Sequence, residues 1–175
     1  QVAQSYAQEK RGDAPELGEV VHGTTLITNT LIERKGARTA LVTTSGMRDM
    51  LDIGREWRYD IYDLDIELPK PLIDKQDRVE VDERLDAHGG VLSPLSDQEI
   101  GRVVEELRKL GVESVAISLL HSYVNADHEK RIAAGIKAAL PEVCVSLSSD
   151  LAREIKEFER TSTVAANAYV KPLVS

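Results

Sequence analysis

A single cysteine, Cys144, in a chain of 175 residues excludes an internal disulfide and any multi-cysteine zinc site. Aromatic residues are scarce at 4%, which removes the stacking platforms that single-stranded nucleic acids use. Positive charge is in deficit as well. The 22 Lys and Arg stand against 30 Asp and Glu, a formal net charge of -8 that leaves no basic face for phosphate backbones or anionic lipid. No apolar run approaches the roughly 20 residues needed to span a bilayer. The nucleotide fingerprints GxxxxGK[ST] and GxGxxG are missing, as are the GxSxG elbow and the HExxH and HxH metal patterns. What remains, at 42% hydrophobic, is a chain able to build one good-sized core or two small ones. The expectation is a soluble, cytoplasmic protein with neither nucleic-acid nor membrane partners.

What is present is organised around residues 19–55. A short apolar strand at Val20 and Val21 runs into His22-Gly23-Thr24-Thr25. A helical pattern follows through Leu26, Ile27, Thr30, Leu31 and Arg34, with Gly36 as its stop. A second strand at residues 39–43 leads into Thr44-Ser45-Gly46, after which stand Arg48 and Asp49. Two successive strands thus end in small, hydroxyl-rich loops carrying Gly. Ligands of open α/β sheets bind beyond the carboxyl ends of strands, where such loops gather, and free N–H groups at a helix start favour an anionic or carbonyl-bearing ligand. Plain N-caps and turn glycines account for the same residues equally well.

The flanking regions read as follows. Residues 1–18 are a polar lead-in, a helix remnant and a loop, with no signal-peptide or transit-peptide composition; the chain starts at Gln1, and the expectation is a piece of a longer protein. Residues 56–95 hold an irregular excursion and a hairpin. The excursion carries Tyr59, Asp60, Tyr62, Asp63 and Asp65, acids read as solvated rather than metal-binding. Val79 and Val81 alternate with Glu80 and Asp82 as in a half-buried strand, and His88-Gly89-Gly90 makes a turn. In the α/β part, residues 96–175, Ser96 and Glu99 form a capping box before the stripe Ile100, Val103, Val104, Leu107 and Leu110, and Gly111 stops that helix. An apolar strand at residues 114–120, a helix capped by Asn125 and a strand at residues 143–147 make a βαβ unit with parallel strands. His121 then sits at a strand's carboxyl edge, like His22, and both, with His128, are candidate general acid/base groups. His128, in the first turn of a helix, reads as exposed and ordinary, and Cys144 as a core residue. The last segment reads as a helix through Ile155, Phe158, Val164, Ala165 and Ala168, interrupted by Thr161-Ser162-Thr163.

The string VHGTTLITNTLIERKGARTALVTTSGMRDMLDIGR, with VEVDERLDAHGGVL, LLHSYVNADHEKR and EIKEFERTSTVAANAYVKP after it in order, resembles the amino-terminal domain of the hydantoinase A and 5-oxoprolinase family. The resemblance runs over residues 19–172. It implies an α/β fold of the actin-like, ribonuclease H-like ATPase class, with a mixed sheet and flanking helices. It also implies an ATP- and Mg²⁺-dependent enzyme that opens a five-membered cyclic amide by phosphoryl transfer to the carbonyl oxygen, working with a B-type partner subunit. A ketone carboxylase of the same family and a non-catalytic docking domain are the alternatives. Carried onto this sequence, His22, Arg48 and Asp49 are the expected catalytic residues. Gly23, Thr24, Thr25, Asn29, Arg55, Arg160, Thr163, Asn167 and Tyr169 are the expected substrate contacts. The DxGGTxTD phosphate loop and the large downstream region of such enzymes are absent from this chain. The expectation is therefore a substrate-side piece that lacks a working ATP site of its own.

Overall fold

The computed structural model describes residues 25–55, 62 and 69–174. The lead-in, His22, Gly23 and Thr24, and the acids Asp60, Asp63 and Asp65 lie outside the described residues.

Four parallel strands form the central sheet in the order β2-β1-β5-β6: β1 Thr39–Thr44, β2 Arg78–Val81, β5 Ser114–Ser118 and β6 Cys144–Leu147. The antiparallel part of the structure is a separate hairpin of β3 (Arg84–Leu85) and β4 (Val91–Ser93). The helices are α1 (Leu26–Glu33), α2 (Met50–Ile53), α3 (Asp97–Leu110), α4 (Asp127–Ala139), α5 (Ser148–Leu151) and α6 (Glu157–Val174). Strands β1 and β5 are buried along their whole length, as central strands of a parallel sheet covered on both faces must be. Their side chains still alternate. Ala40, Val42, Val115 and Ile117 point into a large aliphatic core under α3 and α4, while Leu41 and Ala116 face Val164, Ala165 and Ala168 of α6. Among the described residues, no helix is long and apolar enough to cross a membrane.

Several local expectations change. The last helix is not interrupted at Thr161-Ser162-Thr163. It runs unbroken, because the Ser162 and Thr163 hydroxyls donate to the Phe158 and Glu159 carbonyls one turn back, at 2.7 and 2.8 Å. Small residues there and at Ala165 and Ala168 let α6 lie close against the sheet. Helix α1 ends at Glu33, with Arg34 taking the left-handed position, so Gly36 is not its stop. Gly36 serves a close approach instead: a Cβ there would stand 2.1 Å from the Tyr169 ring. The Ser96 cap forms as expected, accepting from Glu99 N at 3.1 Å, but Glu99 does not reach back. Its carboxylate accepts from Asp82 N at 2.9 Å and from Arg102, tying α3 to the end of β2. Cys144 is half-buried at the start of β6 rather than a core residue.

Candidate functional site

From β1 the chain steps outward to β2, then returns to the opposite side of β1 for β5 and β6. The strand order therefore reverses between β1 and β5. In open α/β sheets the crevice beyond the carboxyl ends at such a switch point is where ligands bind. Here those ends are Thr44 and the loop Leu119-Leu120-His121-Ser122-Tyr123.

Buried polar side chains converge on that loop from three helices and two strands. Glu129, on α4 and fully buried, accepts from Leu119 N at 3.0 Å, Ser148 Oγ at 2.6 Å and Ser149 N at 3.0 Å. Thr44 Oγ1 accepts from Leu120 N at 2.9 Å and donates to Glu83 Oε1. The second oxygen of Glu83 lies 2.6 Å from His128 Nδ1. Arg160, from the first turn of α6, donates to Leu119 O at 2.8 Å and to Ser122 Oγ at 3.1 Å, and its guanidinium carbon stands 5.4 Å from the Tyr123 ring centre. Ser118 and Thr161 join the helix to the strand through a 2.8 Å hydroxyl pair. Burial holds the Arg160 pKa below the ordinary guanidinium value, opposed by the charges of Glu129 and Glu157. Each of these charges sits among hydrogen bonds, which is what makes its burial tolerable.

The described residues predicted from the sequence are spread over the fold. Arg48, Asp49 and Arg55 flank α2 at the margin of this edge. Arg48 donates to Lys75 O at 2.6 Å, Asp49 pairs with Lys75 at 2.7 Å, and Arg55 pairs with Glu159 at 2.8 Å. Arg160 is inside the edge, 1% exposed. Asn167 is further along α6, where its amide donates to Ser146 Oγ at 2.9 Å, and Thr163 is exposed and bonded to its own helix. Tyr169 belongs to the opposite, amino end of the sheet, where its carbonyl accepts from Ala37 N. Thr25 and Asn29 are exposed on and before α1, with Asn29 N donating to Thr25 O.

Two buried carboxylates and one histidine escaped the sequence reading. His128 is not exposed and ordinary; it is buried against Glu83. The signal was present in the periodicity. Glu129 shares the stripe of Ile132, Ala133 and Ile136, and Glu83 continues the alternation Val79, Val81. A charged residue in an apolar register is a buried one with partners.

The described residues do not make a triphosphate or Mg²⁺ site by themselves. The guanidinium groups at this margin are already committed, Arg78 to Ile73 O, Arg48 O and Asp52. No group of three or more His, Cys, Asp or Glu among the described residues is placed to hold a metal. No step of phosphate chemistry is therefore assigned to them.

A family model described as "Hydantoinase/oxoprolinase N-terminal region" matches residues 1–140. The chain belongs to that family. Within it, an uncharacterized protein of Methanocaldococcus jannaschii is 45% identical over 89% of this chain and 23% of its own length. The alpha subunit of caprolactamase from Pseudomonas jessenii is 34% identical over 88% of this chain and 22% of its own. The crystal structure of the ATP-dependent caprolactamase of that organism superposes with a TM-score of 0.88 at 31% identity, covering 99% of this chain and 26% of the other. Acetone carboxylase, in a nucleotide-free structure that addresses ATP-dependent acetone carboxylation, gives a TM-score of 0.78 at 27% identity, over 86% of this chain and 23% of its own. The chain spans under a quarter of the length of the curated relatives named here. The α/β fold expected from the sequence is the fold these ATP-dependent enzymes share over this region.

Proposed function

We propose that this member of the hydantoinase/oxoprolinase family is the substrate-side module of an ATP-dependent enzyme that opens a cyclic amide. A hydantoin or 5-oxoproline is the expected ring. The observation that carries the reading is the match to the caprolactamase structure across 99% of the chain, which extends through the polar carboxyl edge between β1 and β5. In this reading His22, Gly23, Thr24, Thr25 and Asn29 cradle the ring. Arg48, Asp49 and Arg55 stand at the margin, and a guanidinium there would exchange its present partner, Lys75 O for Arg48 or Glu159 for Arg55, for a carboxylate or an activated carbonyl oxygen of the substrate. Arg160 works from within by fixing the loop after β5. Asn167 and Tyr169, which already bond or pack within the fold, hold α6 in place, while Thr163 bonds only within α6. ATP and Mg²⁺ come from outside the described residues, and a B-type partner subunit is supported by the relative's designation as an alpha subunit.

Ketone carboxylation is the second reading, supported by the match to acetone carboxylase. The test is ATP hydrolysis by the full-length polypeptide with its co-encoded partner, adding 5-oxoproline, hydantoin or caprolactam, then acetone with bicarbonate. Stimulation by a cyclic amide is the expected result. Stimulation by ketone alone would move the protein to the carboxylases. Absence of turnover with every compound would favour a docking domain without chemistry.

A further inference from the structure

The loop that follows β5 is held far more firmly than a connection between a strand and a helix requires. Glu129 fixes Leu119 N, Thr44 fixes Leu120 N, Arg160 fixes both Leu119 O and Ser122 Oγ, and Ser148 Oγ lies 3.1 Å from Ser122 Oγ. At the apex stands His121 with φ 60°, in the left-handed region that glycine favours over residues with a side chain. The other described non-glycine residue with positive φ, Arg34, closes a helix, a routine place for that conformation. His121 closes no helix. Gly or Asn would satisfy its turn with less strain.

The imidazole itself is half-buried at the switch point. Its Nδ1 is enclosed without a partner, and none of the described residues hydrogen-bonds Nε2. The ring meets Tyr123 edge-on at 6.0 Å, and Tyr123 in turn lies against Arg160. A strained backbone, a braced loop and an oriented ring with unused hydrogen-bonding capacity occur together at the fold's ligand-binding edge. We infer that His121 is a ligand-facing residue, donating a ring N–H to an oxygen of the molecule bound beyond β1 and β5. Thr44, Glu129 and Arg160 act through it as positioning residues. This inference rests on the cyclic-amide reading above.

The test uses His121→Asn and His121→Gly in the full-length enzyme with its partner. Both residues suit the left-handed backbone, so a turn that serves only the fold would be kept or improved. The expected result is a thermal midpoint equal to or above the parent's, with kcat/KM for amide-stimulated ATP turnover lowered at least tenfold. A rise confined to the KM for the amide would put the oxygen on the ring carbonyl. A fall in kcat with that KM unchanged would put it on the transferred group. Either supports a ligand contact. Turnover within twofold of the parent in both variants overturns the inference and leaves the function intact. So does a loss of activity that only follows a lowered thermal midpoint. A parent enzyme that no cyclic amide stimulates overturns the function and the inference together.

Discussion

The carboxyl edge between β1 and β5 and the outer margin of β2 are both rich in charge, and they use it differently. At the first, Glu83, Glu129, His128 and Arg160 are buried; Glu83 and His128 meet each other, and the remaining partners are loop backbone groups and hydroxyls from other elements. At the second, ion pairs keep at least one member in water. Arg102, with 43% of its side chain exposed, bridges Glu99 and Glu106 at 2.5 Å and donates to Glu80 O at 2.5 Å. Those contacts, with Glu99 on Asp82 N, occupy outward backbone groups of an edge strand that would otherwise invite another strand. One region fixes the shape of a loop; the other blocks an edge. The stability each confers should differ accordingly, because a lone buried charge is far more costly than a lone exposed one.

The largest effect is expected at Glu129. Glu129→Ala removes one acceptor for Leu119 N, Ser148 Oγ and Ser149 N, and takes away a charge that favours ionised Arg160. A loss of about 3–5 kcal/mol in denaturant unfolding is expected, the range for breaking a buried ionic network. A loss below about 1 kcal/mol would mean that the edge is no more tightly built than the margin of β2.

Glu83 and His128 should come next. Glu83→Ala strands the Thr44 hydroxyl and the His128 ring, and about 2–3 kcal/mol should be lost. The pair sharpens the comparison through a double-mutant cycle. Glu83→Leu with His128→Leu should cost less than the sum of the two single changes, since neither leaves a buried polar group facing the other. Strict additivity would show that the 2.6 Å contact carries no coupling.

How much of this was legible in the sequence depends on which kind of signal a residue leaves. The βαβ unit, the α3 stripe with its Ser96 cap and Gly111 stop, and the alternation in β2 were readable because backbone geometry imposes those periods locally. The buried network was not, because its partners lie far apart in the chain: Thr44 with Glu83 and Leu120, Glu129 with Ser148, Arg160 with Leu119. Only the parallel crossovers bring them together. Helix α6 was misread at Thr161 for a related reason. Hydroxyls that look like a break in one dimension are, in three, the small residues that let the helix reach Ser118. Arg48, Asp49 and Arg55 were singled out by family resemblance, and nothing in local spacing distinguishes them from ordinary surface charges.

The smallest effect belongs to Asp52, at the margin of β2. Its carboxylate holds Arg78, whose side chain is 1% exposed, while its own is 43% exposed. The hydrogen bond from Arg78 is the main reason the Asp52 pKa lies below its ordinary value of 3.8, with burial opposing and the charges of Arg78 and Lys75 assisting. A carboxyl depressed in the folded state adds stability above its unfolded pKa and loses it as pH falls through the folded value. Asp52→Asn should therefore cost about 0.5–1 kcal/mol near neutrality, reduced by solvent screening, and the cost should disappear in acid below that pKa. Arg78 keeps Ile73 O and Arg48 O in the variant, which is why the effect stays small. Unfolding of parent and variant followed from pH 7 down to acid would check it. A deficit as large as that of Glu129→Ala, or one that persists unchanged in acid, would erase the distinction between charge that braces a loop and charge that seals an edge.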